Sequence, residues 1–303
     1  MTGRHYPSYL RLFAAGKLDE RIQAAREAAR ICTLCPRKCG VDRLSGDIGF
    51  CREGLHARIS SAGPHFGEEA PLVGRYGSGT IFFSGCNLGC CFCQNYDISH
   101  LGHGREVSAA ELAEAMLGLE GTGCHNINLV TPTHFVPQIL EALKIAIPGG
   151  LSVPLVYNCG GYESVYTLKL LEDIVDIYMP DFKFWSTEDS GRYLDAPDYP
   201  EVCRSALMEM HRQVGDLSVQ NGLAMRGLLV RHLVMPDKLD QTKAIMEFVA
   251  RELSADTFVN VMDQYRPCYH AEGFPEIDRR LSAGEFAEAL KTAETAGLKR
   301  ICH

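Results

Sequence analysis

Four cysteines crowd into the segment Ser84-Gly85-Cys86-Asn87-Leu88-Gly89-Cys90-Cys91-Phe92-Cys93-Gln94-Asn95. Thiolates are soft ligands that favour iron–sulfur clusters or zinc over hard cations. Cys86, Cys90 and Cys93 have the spacing C-x3-C-x2-C, which puts three thiolates on one tight loop. Three thiolates serve three corners of a 4Fe–4S cubane and leave one iron open to a small-molecule ligand. Gly85 and Gly89 let such a loop curl without a steric penalty. A zinc site on the same loop needs a fourth ligand, from Cys91, His100 or His103.

A second group, Cys32, Cys35, Cys39 and Cys51, reads C-x2-C-x3-C-x11-C. Four thiolates complete either a structural zinc site or a second 4Fe–4S cluster. The residues around them, rich in turn formers such as Gly40, Gly46, Gly49 and Gly54, have poor apolar periodicity. A bound metal is then a source of folding energy. Of 13 cysteines, eight lie between Cys32 and Cys93. The start of the chain, Met1 to Tyr9, has no apolar core of a signal peptide. Clustered cysteines without an export signal point to metal sites in a reducing compartment, the cytoplasm. The scattered Cys124, Cys159, Cys203, Cys268 and Cys302 read as small buried apolar groups.

A net charge of -8 with no Lys/Arg block argues against a nucleic-acid partner. No run approaches the length of apolar residues that spans a membrane. From residue 80 onward short apolar runs alternate with helical patterns. The runs 80–84, 126–130, 153–157, 174–179, 228–234 and 257–262 read as strands buried on both faces. Helical patterns cover 107–119, 137–147, 163–174, 201–214 and 239–253, after a first one at 17–29. Ser108 with Glu111, and Ser282 with Glu285, are capping-box signatures. Strictly alternating strands and helices give an α/β fold with a parallel sheet. Six units are two short of a closed eightfold barrel, so an open partial barrel and a doubly wound sheet both satisfy the pattern. The chain divides into a helix and cysteine-rich module, 1–79, and an α/β core, 80–303. In either fold the chemistry sits at the C-terminal ends of the strands. The polar residues there include Asn87, Thr131, Asn158, Asp181, Lys183, Arg231, His232, Gln264 and Tyr265. Asp181 and Lys183, two apart on one strand, point the same way. Arg231, inside an apolar strand, needs a partner.

Three cysteines with Phe92 just before the third, placed after the first strand of the core, resemble the radical S-adenosylmethionine (SAM) superfamily. Longer segments extend the likeness: CTLCPRKCGVDR from Cys32, CNLGCCFCQN from Cys86, NLVTPTHFVPQI from Asn128, YNCGGYES from Tyr157, YMPDFKFW from Tyr178, RHLVMP from Arg231 and VMDQYRP from Val261. Together they resemble the PflX subgroup of pyruvate formate-lyase activating enzyme-related proteins. The resemblance implies a partial (β/α)6 TIM-like barrel and a cluster whose open iron chelates the methionine part of SAM. It also implies reductive cleavage of SAM to a 5′-deoxyadenosyl radical, with electrons from a donor such as flavodoxin or ferredoxin. Cofactor contacts then fall on Phe92 and Asn95 of the loop, on Asn158 for the ribose, and on Asp181, Lys183, Arg231 and Gln264. Where the activating enzymes carry Gly-Gly-Glu, this chain has Leu129-Val130-Thr131-Pro132-Thr133, so Thr131 and Thr133 replace a carboxylate. The substrate expected from the likeness is a partner glycyl-radical protein; a small molecule or a peptide is the alternative. An iron–sulfur electron-transfer protein without catalysis is the competing class.

Overall fold

A computed structural model gives the fold and describes residues 6–303, so the first five residues of the segment inspected for a leader lie outside it. The strands are β1 (Ala57–His65), β2 (Ser78–Phe83), β3 (Arg105–Val107), β4 (Ile127–Val130) and β5 (Leu155–Cys159). They continue with β6 (Ile177–Pro180), β7 (Ser218–Gln220), β8 (Leu223–Leu233), β9 (Phe258–Met262) and β10 (Arg300–Cys302). All belong to one mixed sheet in the order β10-β9-β8-β6-β5-β4-β2-β1-β3, with β7 alongside β8. The run from β2 through β4, β5, β6, β8 and β9 to β10 is parallel. β1 and β7 are antiparallel additions.

The six expected strands are β2, β4, β5, β6, β8 and β9. Their apolar runs have the predicted cause. Leu155, Tyr157, Tyr178, Leu228 and Val230 enter the main core, while Val156, Ile177, Met179 and Leu229 enter a second core on the opposite face. Leu72, from the short helix Ala70–Val73 that follows β1, completes that second core. Both capping boxes form, opening the helices Ala109–Gly121 and Ala283–Thr295.

The structure departs from the sequence reading at β1, β3, β7 and β10. β1 lies in the segment read as turn-rich. Its apolar signature is confined to Ala57 and Ile59, because the strand is largely solvated beyond them. Pro64 is tolerated in it because β3 pairs only with residues 57–59 and leaves that edge free. β3 and β10, at three residues each, are too short to show a period. No helix among the described residues is long and apolar enough to cross a membrane.

Candidate functional site

The parallel strands end on one side of the sheet, and the expected site residues collect there. Cys86, Cys90 and Cys93 line a single cavity of about 140 Å³ with Asn95, Thr131, Asn158, Asp181, Lys183 and Arg231. A neighbouring space of about 240 Å³ shares Cys90, Cys93, Asn95, Asp181, Lys183 and Arg231 and adds Phe92 and Gln264. Cys91 lines neither, which singles out the C-x3-C-x2-C set.

The loop is held from several sides. Gly85 adopts φ +74°, and a Cβ there would stand 2.5 Å from the Cys51 carbonyl oxygen, so only glycine fits. The Gly89 and Cys91 amides donate to Leu194 and Tyr193 carbonyls, both at 2.9 Å. The Asn87 side-chain amide donates to the Tyr162 carbonyl at 2.6 Å, and Arg37 Nε donates to the Asn87 carbonyl at 2.9 Å. Phe92 is buried between Phe184 and Tyr265, with ring centroids 5.9 and 6.0 Å away. The aromatic before the third cysteine therefore anchors the loop in the core. At the sulfurs, the Leu88 amide donates to Cys86 Sγ at 3.4 Å, and Ser99 Oγ lies 3.1 Å from Cys93 Sγ. Burial pushes the Cys86 thiol up to about 12 and the Cys90 thiol well above its ordinary value, with Lys183 the opposing positive charge at Cys90.

Across the cavity, register aligns Asp181, Arg231 and Asn260 on neighbouring strands. Asp181 receives Arg231 Nε at 2.9 Å and Lys183 Nζ at 2.6 Å. Arg231 also donates to Asn158 Oδ1 at 2.8 Å and sits 3.7 Å from Glu68. Burial alone would raise the Asp181 carboxyl; the two cations outweigh it and hold the group below its usual range. The side chains of Asp181, Lys183 and Arg231 keep 15, 16 and 18% of their surface open to the cavity, enough to meet a ligand. The partner that Arg231 requires is thus supplied by the protein itself.

Thr131 has φ +59°, a costly conformation for a β-branched residue, at the mouth of the cavity. Its amide donates to the Asn158 carbonyl at 2.8 Å. Thr133 does not share that position: its hydroxyl donates to the buried Glu163 at 2.7 Å, and Tyr157 donates to the other Glu163 oxygen at 3.0 Å. Glu163 therefore ties the end of β4 to β5 from behind the cavity. His232 also faces away, between the Phe182 carbonyl and the Thr242 hydroxyl at 2.7 and 2.9 Å. Tyr265 donates to the Ile277 carbonyl at 2.7 Å and is packed under Phe92. Gln264 lines the outer space, and its backbone carbonyl receives the Gln94 amide at 3.0 Å.

Sequence reasoning passed over Glu68, Glu69 and Glu163. Glu68 and Glu69 come from the irregular stretch after β1, where no pattern ties them to β8 and β9. Asn260 Nδ2 nonetheless donates to Glu69 at 2.8 Å. Cys32, Cys35, Cys39 and Cys51 line neither cavity; Cys32 packs with Ala28, Ala29 and Leu34 in a small separate core. Among the described residues no three His, Cys, Asp or Glu side chains converge to hold a metal ion.

The geometry defines a mixed α/β protein with a thiol-lined, charged cavity at the C-terminal edge of a parallel sheet. The chain belongs to the same family as MJ0674, an uncharacterized protein of Methanocaldococcus jannaschii, to which it is 34% identical over 294 residues, 94% of this chain and 80% of that protein. A second uncharacterized protein of that organism, MJ0808, is 26% identical over 80% of this chain and 73% of its own. No protein-family model matches. Among solved structures, the radical S-adenosylmethionine methyltransferase TsrM from Kitasatospora setae, with cobalamin and a 4Fe–4S cluster bound, aligns with a TM-score of 0.44 and 16% identity. That alignment covers 62% of this chain and only 36% of the other, too slight a likeness to decide fold or function.

Proposed function

We propose that the protein is a radical SAM enzyme in which Cys86, Cys90 and Cys93 hold a 4Fe–4S cluster. The observation that carries this reading is their shared cavity with Thr131, Asn158, Asp181, Lys183 and Arg231. A reduced cluster of this kind, when bound, supplies the cleavage of SAM to a 5′-deoxyadenosyl radical that takes hydrogen from a substrate. The chain's own residues bind and orient. Lys183 sets a positive charge beside Cys90 and offsets the thiolate charge. Asp181 stays ionised between Lys183 and Arg231 and fixes both cations at the cavity wall. Asn158, its amide oxygen taken by Arg231, keeps its Nδ2 group for a ribose oxygen. Thr131 offers its hydroxyl and carbonyl to the ammonium of SAM.

The open parallel run is consistent with a partial (β/α)6 barrel, and the quoted segments favour the PflX subgroup. The electron donor in this reading is a flavodoxin or ferredoxin in the cytoplasm. The substrate is a partner glycyl-radical protein or, as the alternative, a small molecule or peptide. An iron–sulfur electron-transfer protein would have no use for a charged cavity beside its thiols. The test is to incubate anaerobically reconstituted, reduced protein with SAM and quantify 5′-deoxyadenosine. Formation that is lost when the three loop cysteines are replaced supports the reading. Fully iron- and sulfide-loaded wild-type protein that releases none contradicts it.

A further inference from the structure

We propose that Glu68 is a positioning residue for SAM: it holds the Arg231 guanidinium at the cavity wall, while Glu69 braces the neighbouring strand. The inference rests on the radical SAM reading of the cavity and names what orients its largest cation.

The connection between β1 and β2 does more than turn the chain. Its Leu72 is wholly buried in the second core, and the Leu72 carbonyl accepts Asn126 Nδ2 at 2.9 Å. The segment is thereby anchored against the sheet. Two adjacent carboxylates precede the anchor. The Glu68 side chain keeps only 7% of its surface exposed, and Glu69 is equally buried. Glu69 stands at the N-cap of the helix Ala70–Val73, where an acidic side chain can bond its own helix, yet it makes no capping bond. Its Oε1 instead accepts Asn260 Nδ2 at 2.8 Å, far away in sequence. Asn260 is the register partner of Arg231, so the two carboxylates reach neighbouring positions on β8 and β9. Burying a carboxylate is costly unless it is paired, and these two are paired at the site rather than within their own segment.

Each nitrogen of the Arg231 guanidinium has its own acceptor. Nε donates to Asp181 Oδ1 at 2.9 Å, Nη2 donates to Asn158 Oδ1 at 2.8 Å, and Nη1 lies 3.7 Å from Glu68 Oε2. The three acceptors come from three parts of the chain: the ends of β6 and β5, and the connection after β1. Asp181 and Asn158 alone would leave the Nη1 side unopposed. Asp181 is also shared, since its Oδ2 receives Lys183 Nζ at 2.6 Å. One carboxylate between two cations leaves a charge unmatched, and Glu68 matches it. A guanidinium is a rigid planar fork, so fixing its nitrogens fixes the direction of the N–H groups left over for a ligand. Arg231 lines both cavities and Glu68 lines neither, so Glu68 acts through Arg231 and not on the ligand itself. The other ionisable neighbour of Glu68 is His65, whose Nδ1 stands 3.4 Å away.

The experiment is a double-mutant cycle on the full chain, reconstituted anaerobically with iron and sulfide. SAM binding is titrated through the electron paramagnetic resonance of the reduced protein, and 5′-deoxyadenosine formation is followed over a range of SAM concentrations. Wild type, Glu68→Gln, Arg231→Gln and the double variant are compared. The proposal expects Glu68→Gln to weaken SAM binding roughly fivefold to tenfold, seen as a raised KM, with iron and sulfide at the wild-type level. In the Arg231→Gln chain the same change adds no further loss, because the residue it acts through is gone. If Glu68→Gln does not fold, Glu68→Asp, which draws the carboxylate back from its 3.7 Å contact, replaces it. Equal losses from the Glu68 change in the two backgrounds, or SAM binding unaltered by it, overturn this inference alone. So does a loss confined to melting temperature or bound iron, which marks a purely structural role. Fully loaded wild-type protein that neither binds nor cleaves SAM overturns the reading of the cavity and this inference with it.

Discussion

The Cys39 sulfur accepts the Phe50 amide at 3.4 Å, and the Cys86 sulfur accepts the Leu88 amide at the same distance, but the surroundings of the two sulfurs differ. Cys86 faces a cavity with an ion-paired carboxylate, two cations and two amide or hydroxyl side chains at strand ends. Cys39 belongs to a segment with its own small core and no part in either cavity. Similar sulfur contacts therefore sit in different surroundings. In the proposed reading, three thiolates in front of an open, charged space hold a centre that binds a ligand, whereas Cys32, Cys35, Cys39 and Cys51 face no such space. Strand ends supply the charged space at Cys86.

The sharpest way to break this contrast is within the loop itself. Cys90→Ala should abolish 5′-deoxyadenosine formation and lower bound iron, while Cys91→Ala should stay within about twofold of wild type because Cys91 lines neither cavity. Equal losses in product assays of the two variants would erase the distinction between facing and non-facing thiols. Arg231→Ala comes next. It removes the cation beside Glu68 and leaves Asp181 with Lys183 alone, and breaking a buried pair costs about 3 kcal/mol or less where a second cation remains. Denaturant unfolding measures this, and a loss under about 1 kcal/mol would show that the pair is solvated.

Glu163 ties the cavity's back wall, and burial raises its carboxyl from 4.5 to about 7 despite bonds from Thr133 and Tyr157. A raised carboxyl favours the protonated folded state, so its contribution is fully present below pH 4.5 and is lost as pH rises to about 7. Over that window wild type should lose about 3 kcal/mol that Glu163→Gln does not lose. Parallel stability–pH curves for the two proteins would rule out a buried, neutral Glu163. The smallest effect is expected at the seam between the two regions. Gly85→Ala puts a methyl 2.5 Å from the Cys51 carbonyl at a positive φ and should cost about 1–3 kcal/mol in thermal unfolding, with the SAM-dependent signal weakened. An unchanged melting curve would mean that the regions do not press on each other.

What could be read from the sequence follows the strength of periodic signals. β5, β6 and β8 carry apolar runs because both of their faces are buried, and the residues at their ends, Asn158, Asp181 and Arg231, follow from strand position alone. The Asp181–Lys183 pairing follows from the two-residue period of a strand. The partners of Arg231 were not legible, since Glu68 reaches it from an irregular segment far away in sequence. Thr133 was misplaced because the turn at Pro132 sends Thr131 to the cavity and Thr133 to Glu163. β1 escaped notice because a largely solvated strand has little apolar pattern to show.

The central claim, an open iron at the cavity thiols, is tested most directly by electron paramagnetic resonance of the reduced, reconstituted protein with and without SAM. The account predicts that SAM alters the spectrum of wild-type protein and leaves that of the Cys86→Ala/Cys90→Ala/Cys93→Ala protein unchanged. A wild-type spectrum indifferent to saturating SAM, in protein carrying its full complement of iron and sulfide, would contradict it.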